Sequence, residues 1–270
     1  MSDHMITYYD SYDEDARLQS NNARRIEFLT TTRILGEHLP PSGKILDTAC
    51  GTGIYALDLA EKGYDVTAYD FTPSLIEILN GKLEKTNLKM ETGVGDVRDL
   101  SRFGDETFDV VLLMGPLYHL PEAADREKSV TECRRVLKPG GILAAAYIGR
   151  FYVFPWCSFQ NRFLLTEDFA RRILADGAFR HDDPDCFWTD NYFYKPKEIE
   201  DFMAGMGFEF LDHAGVDGLA PNFGKQAVDS YTEEEFRAYC EYHYLTCREP
   251  SLLGVSNHGL YLGRKPTKTL

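Results

Sequence analysis

Ile45-Leu46-Asp47-Thr48-Ala49-Cys50-Gly51-Thr52-Gly53 is the stretch on which the fold turns. An apolar run ends in an acid, and a glycine-rich turn opens into residues 54–62, which read as a helix stopped by Gly63. Glycine is needed where the backbone adopts angles closed to other residues or approaches a ligand closely. In an open α/β sheet such a turn lies outside the carboxyl ends of the strands, where ligands bind.

Working outward, residues 44–48 are a short buried strand. The helix before them, over 22–39, is closed by Pro40, Pro41 and Gly43. Residues 65–69 are a second strand. Thr72-Pro73 then starts a helix, with a hydroxyl at the N-cap and proline at the first helical position; Leu75, Ile76 and Leu79 give it an apolar face. Residues 88–94 are a third strand, and 108–114 are apolar almost throughout, as in a strand buried on both faces. A helix over 122–137, a turn at Lys138-Pro139-Gly140-Gly141 and a fifth strand over 142–148 follow. Repeated alternation of this kind predicts a parallel sheet with helices on both faces.

After Gly149 the composition shifts. Phe151, Tyr152, Phe154, Trp156, Phe159 and Phe163 come close together, then Phe187, Trp188, Tyr192, Phe193 and Tyr194. This segment reads as an insertion with its own packing. A helix over 196–206, a strand over 208–216, a helical insertion over 231–244 and a strand over 258–264 complete the pattern. No internal repeat or low-complexity linker interrupts it.

The 270 residues carry 29 Lys+Arg against 43 Asp+Glu, a net charge of −14, which argues against a phosphate backbone or an anionic membrane surface as partner. Hydrophobic residues at 43 % and charged residues at 27 % suit a folded globular chain. No apolar stretch is long enough for a bilayer, and the polar, acidic N-terminus has no signal-peptide pattern. Cys50, Cys133, Cys157, Cys186, Cys240 and Cys247 form no CxxC pair. Reduced thiols in a cytoplasmic protein are the expectation.

Two readings of the glycine turn compete. Gly51-Thr52-Gly53-Ile54-Tyr55-Ala56 fits GxGxxA, and Asp70 lies about 20 residues on, where a dinucleotide-binding chain has its ribose acid. Asp47 argues otherwise. It stands four residues before Gly51, where a carboxylate would repel a pyrophosphate and attract an ammonium or a sulfonium.

Four features arrive in a fixed order: Asp47 to Gly53; Asp70-Phe71; Gly95-Asp96-Val97; and Phe108-Asp109 through Met114-Gly115-Pro116, with Leu137-Lys138-Pro139-Gly140-Gly141 trailing. In this the chain resembles the class I S-adenosylmethionine-dependent methyltransferases, over most of residues 44–148. The resemblance implies a Rossmann-like methyltransferase fold of class α/β. Its seven-stranded, mostly parallel sheet has an antiparallel last strand, helices on both faces and an inserted substrate cap. It further implies that Asp47, Ala49, Gly51 and Gly53 hold the methionine moiety and that Asp70 accepts both ribose hydroxyls. Phe71 would cover adenine, Asp96 would accept from its exocyclic amine beside a Val97 backbone contact, and Met114 would stand beside the transfer zone. Ala49 occupies a place where many members have glycine. Tyr8, Tyr9, Tyr12 and Arg17 stand where related chains carry a lid, the alternative being an acidic tail.

Methyl transfer from a sulfonium is an in-line displacement, and alignment lowers its barrier by roughly 7–11 kcal/mol. A base is required only for a nucleophile still protonated at neutral pH. Gly115-Pro116-Leu117-Tyr118-His119-Leu120 follows the fourth strand, so His119 is the candidate base and Tyr118 a substrate-positioning residue. The competing reading has His119 capping or packing the next helix. His213 and His243 read as packing, and His181 with Asp182, Asp183 and Asp185 as a solvated acidic turn, with no metal site expected. Arg150, Gln160, Asn161 and Arg162 are candidate polar anchors in a substrate pocket.

The expected organisation is an N-terminal helical lid over 1–43, a cofactor-binding core over 44–150, an aromatic-rich substrate cap over 151–195, and a C-terminal part of the sheet over 196–270 with a helical insertion near 222–256. The expected activity is methyl transfer from S-adenosylmethionine to a small, partly apolar or aromatic molecule, leaving S-adenosylhomocysteine. A nicotinamide-dependent dehydrogenase and a non-catalytic S-adenosylmethionine-binding protein are the alternatives. Acceptor and oligomeric state are left open.

Overall fold

The computed structural model describes residues 3–223 and 227–267. Seven strands form one sheet: β1 (Lys44–Asp47), β2 (Asp65–Asp70), β3 (Glu91–Val94), β4 (Phe108–Met114), β5 (Leu137–Ile148), β6 (Glu209–Gly215) and β7 (His258–Arg264). Their order in space is β3-β2-β1-β4-β5-β7-β6. The first five run parallel, and β7 lies antiparallel to both β5 and β6. The expected sheet is thus present, with β7 inserted between β5 and β6.

Strand periodicity sorts the core into two layers, because successive side chains point to opposite faces. Ile45, Val66, Ala68, Val110, Leu112 and Ala144 pack on one face, under α2 (Asn22–His38), α3 (Ile54–Glu61) and α4 (Pro73–Leu83). Leu46, Val111, Leu113, Leu143 and Tyr147 pack on the other. That layer is covered by α6 (Ala123–Val136) and α9 (Pro196–Gly205), whose inward residues include Val130, Cys133, Ile199 and Met203.

The remaining helices lie around this core. They are α1 (Asp3–Ser11), α5 (Pro116–His119), α7 (Arg150–Gln160), α8 (Glu167–Ala175), α10 (Glu233–Thr246), which runs alongside α2, and α11 (Pro250–Leu253). The segment after β5 has its own core of Val153, Cys157, Leu164, Phe169, Ile173, Phe179 and Phe193, with Phe187 stacked on Phe193. The side chain of Phe159 lies outside the described residues, as does the structure of residues 224–226 in the expected C-terminal insertion.

Three expectations need correction. The third strand is shorter than 88–94, because Leu88 donates its N–H to Thr86 Oγ1 in a turn and pairing begins at Glu91. Residues 138–141 are no free turn. They lie within β5 as an irregularity between the Phe108–Leu137 and Val110–Ile142 pairs, held by mutual hydrogen bonds of Gly140 and Gly141 with Lys265. Thr72 precedes α4, yet its hydroxyl caps nothing; Asp70 Oδ1 accepts the Thr72 N–H at 2.8 Å instead.

Candidate active site

Two glycines shape the turn after β1. Gly51 has φ 55° and Gly53 φ 86°, both in the left-handed region that favours glycine. A Cβ on Gly53 would stand 2.4 Å from Leu79 Cδ1, so the turn also needs the missing side chain for close packing. Asp70 ends β2 beside it, and its Oδ2 accepts the Gly51 N–H at 2.9 Å. Burial pushes the Asp70 carboxyl up against these two amide bonds, which favour its charged form.

Asp47 is 1 % exposed, and its Oδ1 has no hydrogen-bond partner among the described residues. Burial raises its carboxyl to about 7, with the nearby Asp70 charge adding to the effect and an Ala49 backbone bond opposing it. An unpaired buried acceptor is costly unless something cationic meets it. An ammonium group is the chemistry this position lacks, and a pyrophosphate would aggravate it. An amino-acid-bearing cofactor therefore fits the residues present. The expected consequence is a pH-dependent affinity: a cofactor whose ammonium meets the Asp47 carboxylate should bind more tightly as pH rises from 6 to 8, with proton release. Calorimetry in buffers of different ionisation enthalpy reads that release, and Asp47→Asn should abolish it.

Two cavities meet at the carboxyl edge. The first is lined by Ala49, Gly51, Asp70 and Phe71 on one side and by Met114, Gly115, Tyr118 and His119 on the other. The second is aromatic, with Tyr8, Tyr12, Tyr152, Trp156, Phe187 and Trp188 in its wall. Tyr9, Glu14, Arg17, Glu27, Tyr118 and His258 line both. The expected site residues Asp47, Gly53, Asp96 and Val97 are not among the residues that line either cavity. Val97 is buried in the second core layer, and the Asp96 carboxylate is engaged by Arg98, which also reaches Asp125.

His119 is 6 % exposed, and both ring nitrogens are engaged. Burial keeps the Tyr9 phenol protonated, and its hydroxyl shares a hydrogen bond with Nε2 at 2.8 Å. Nδ1 stands 3.2 Å from Thr189 Oγ1. Burial depresses the imidazole to about 4, against small opposing effects from Asp190, so the ring is neutral.

The N-terminal segment forms a helix, α1, followed by a stretch clasped to the sheet edge. Asp10 accepts from Ser74 Oγ at 2.6 Å, Asp15 accepts from Thr52 Oγ1 at 2.8 Å, and Tyr8 meets the Trp188 ring edge at 6.0 Å. Arg17 grips both oxygens of Glu27, at 2.9 and 3.0 Å, and Glu14 at 3.0 Å. His258 Nδ1 stands 2.9 Å from Asp217 Oδ2 and 3.3 Å from Glu27 Oε2. Sequence reasoning missed Glu14, Glu27, Asp217 and His258. They come from the α1–α2 segment, α2, the turn after β6 and the start of β7, and no local spacing links them.

Of the expected polar anchors only Gln160 reaches the second cavity. Arg150 is buried against Glu198 and the Phe193 carbonyl, Asn161 caps α7, and Arg162 opens the short 3-10 turn that follows. Asp183 and Asp185 are paired with Arg172, and His181 with Asp190. His213 lies between Tyr147 and Glu200, and His243 reaches the Val216 carbonyl, both as packing residues. Among the described residues no helix is long and apolar enough to cross a membrane.

Comparison with known proteins adds four findings. Residues 45–141 match a family model described as a methyltransferase domain. A ubiquinone biosynthesis O-methyltransferase of Xanthomonas euvesicatoria is 26 % identical over 235 residues, covering 86 % of this chain and 87 % of its own. Among solved structures, an S-adenosylmethionine-dependent methyltransferase of Methanosarcina mazei superposes with a TM-score of 0.59 at 22 % identity, covering 87 % of this chain and 98 % of its own. A 1,6-didemethyltoxoflavin-N1-methyltransferase of Burkholderia thailandensis, solved with that compound and S-adenosylhomocysteine, has a TM-score of 0.58 at 15 % identity, over 98 % of this chain and 86 % of its own.

Proposed function

The chain is a class I S-adenosylmethionine-dependent methyltransferase, and from that premise we propose that it methylates a hydroxyl oxygen of a small, partly aromatic acceptor held in the second cavity. The observation that carries the reading is the junction of an acid- and glycine-lined cavity with an aromatic one at Tyr118. Pockets for small molecules are mostly apolar with few polar anchors. The oxygen is favoured by the Xanthomonas relative, named as an O-methyltransferase.

In this reading Asp47, Ala49, Gly51 and Gly53 receive the amino-acid end of S-adenosylmethionine, Asp70 its ribose, and Phe71 its adenine, with Asp96 and Val97 behind. When bound, S-adenosylmethionine supplies a methyl group on a sulfonium. Met114 and Tyr118 narrow the passage to the acceptor, α1 closes over both cavities as a lid, and residues 151–195 cap the acceptor. His119 neighbours the acceptor as a neutral ring held by Tyr9 and Thr189. The dinucleotide reading of the glycine turn gives way to the methyltransferase-domain match and to Asp47. The −14 charge speaks against nucleic acid as acceptor, and the described cysteines, all free thiols, suit a cytoplasmic setting.

The test is incubation with S-adenosylmethionine and separate acceptors: catechol, a dihydroxybenzoate, aniline and thiophenol. Mass spectrometry should show one methyl gained on the hydroxylated compounds. Methylation confined to aniline or thiophenol would refute the hydroxyl reading. Binding of S-adenosylmethionine with no transfer to any acceptor would favour a binding protein, and thermal stabilisation by NAD alone would overturn the premise.

A further inference from the structure

We propose that His258 is the proton acceptor of the methyl transfer, with Asp217 and Glu27 as the residues that orient its ring. The inference rests on the hydroxyl-acceptor reading above, and it replaces His119 in that role.

Sheet register places the side chain. Met114 pairs with Ala146 and Ala146 with Leu260, so these three share one face of the sheet. His258 pairs with Ile148, two residues nearer the carboxyl edge on that same face. It therefore overhangs the passage that Met114 opens, and it lines both cavities.

The ring is oriented as a base requires. Nδ1 faces the Asp217 and Glu27 carboxylates at 2.9 and 3.3 Å, with Asn257 Nδ2 at 3.1 Å; the two carboxylates favour the proton on Nδ1, which leaves the lone pair on Nε2. No hydrogen bond to Nε2 exists among the described residues, and the side chain keeps 14 % of its surface open. Asp217 is itself fixed: its Oδ1 accepts from Ser256 Oγ at 2.6 Å and from the His258 N–H at 3.0 Å. His119, by contrast, has neither nitrogen free.

Charge favours the product of the step. Glu27 from α2, Asp217 after β6 and Glu14 from the α1–α2 segment supply three carboxylates, against the Arg17 guanidinium and that of Arg24 from α2, which acts on Glu14. Tyr118 from α5 approaches with its ring edge, and Tyr152 from α7 and His243 from α10 lie within electrostatic range of Asp217. Burial works against an imidazolium at His258, yet the Glu27 and Asp217 carboxylates outweigh it and raise the histidine. The ligand atoms of Glu27, Asp217 and His258 are close enough to surround a cation, but Arg17 already spans both Glu27 oxygens. The group is thus arranged to receive a proton.

The step balances as follows. An acceptor oxygen lone pair forms the bond to the methyl carbon, and the carbon–sulfur bond breaks with its electron pair kept by sulfur. The hydroxyl proton passes to Nε2, and the imidazolium later releases it to solvent.

Wild type and the variants H258Q and D217N are compared on catechol and on the more acidic 4-nitrocatechol, with S-adenosylhomocysteine affinity as a folding control. H258Q should lose about 10²-fold or more in turnover of catechol and much less on 4-nitrocatechol, which ionises without help. D217N should move the rising limb of the pH–rate profile to lower pH. Ring-carbon NMR of wild type saturated with S-adenosylhomocysteine should show His258 titrating above an ordinary histidine, and D217N should lower it. H258Q with wild-type turnover of catechol, a His258 titrating at or below the ordinary value, or activity that requires a divalent cation and is lost in EDTA would each overturn the proposal. If wild type methylates neither phenol, the hydroxyl-acceptor reading falls, while the NMR titration still decides the state of His258.

Discussion

Asp70→Ala should weaken S-adenosylmethionine binding by roughly 10²–10⁴-fold. Hydrogen bonds to a charged group contribute about 1.5–3 kcal/mol each, and two ribose hydroxyls on one carboxylate amount to about twice that; every 1.4 kcal/mol is tenfold in affinity. The substitution also strips the Gly51 and Thr72 N–H groups of their acceptor, at 2.9 and 2.8 Å, and so loosens the glycine turn. Its effect on the free protein should be much smaller. Asp70 has a carboxyl raised by burial in the fold. A carboxyl raised on folding contributes stability below its unfolded value, and loses that contribution as pH climbs through the folded value. At neutral pH the free protein therefore gains little from an ionised Asp70. Calorimetry should show the lost affinity and thermal melting a small shift. Unchanged affinity would refute the ribose assignment.

Arg17→Met should cost about 3–5 kcal/mol of stability, the penalty for breaking a buried pair and leaving the other charge behind. Arg17 holds both Glu14 and Glu27, and the latter is 6 % exposed. The loss should depend on pH. Burial already raises the Glu14 carboxyl against the Arg17 charge, so with the guanidinium gone protonation relieves the strain and the variant recovers as pH falls from 8 to 5. Urea denaturation at the two pH values measures this. A loss below about 1 kcal/mol, typical of an exposed pair, would show the network to be peripheral.

The features legible in the sequence are those whose physics is local. The glycine turn, the acids that end β1 and β2 and the apolar run of β4 each announce themselves within a few residues, and together they indicate the sheet. The failures share one cause. Residues 138–141 look like a turn until Lys265, more than a hundred residues on, pairs with them. The contact of Tyr9 with His119, 110 residues apart, is likewise not announced locally. The Arg17–Glu27–His258–Asp217 network has no local signature at all. Its members meet only when α2 and the α1–α2 segment dock against β7 and the turn after β6.

The place of β7 in the sheet has a consequence for biosynthesis. A nascent chain made as far as residue 257 can close the five parallel strands, but β6 then has no partner and β5 presents an unpaired edge. Such an edge invites wrong pairing with another chain. Seven residues, 258–264, resolve both problems at once by hydrogen-bonding β5 on one side and β6 on the other. They also deliver His258 to the junction of the two cavities. Protection of the open edge and arrival of that histidine are thus one event in the making of the protein.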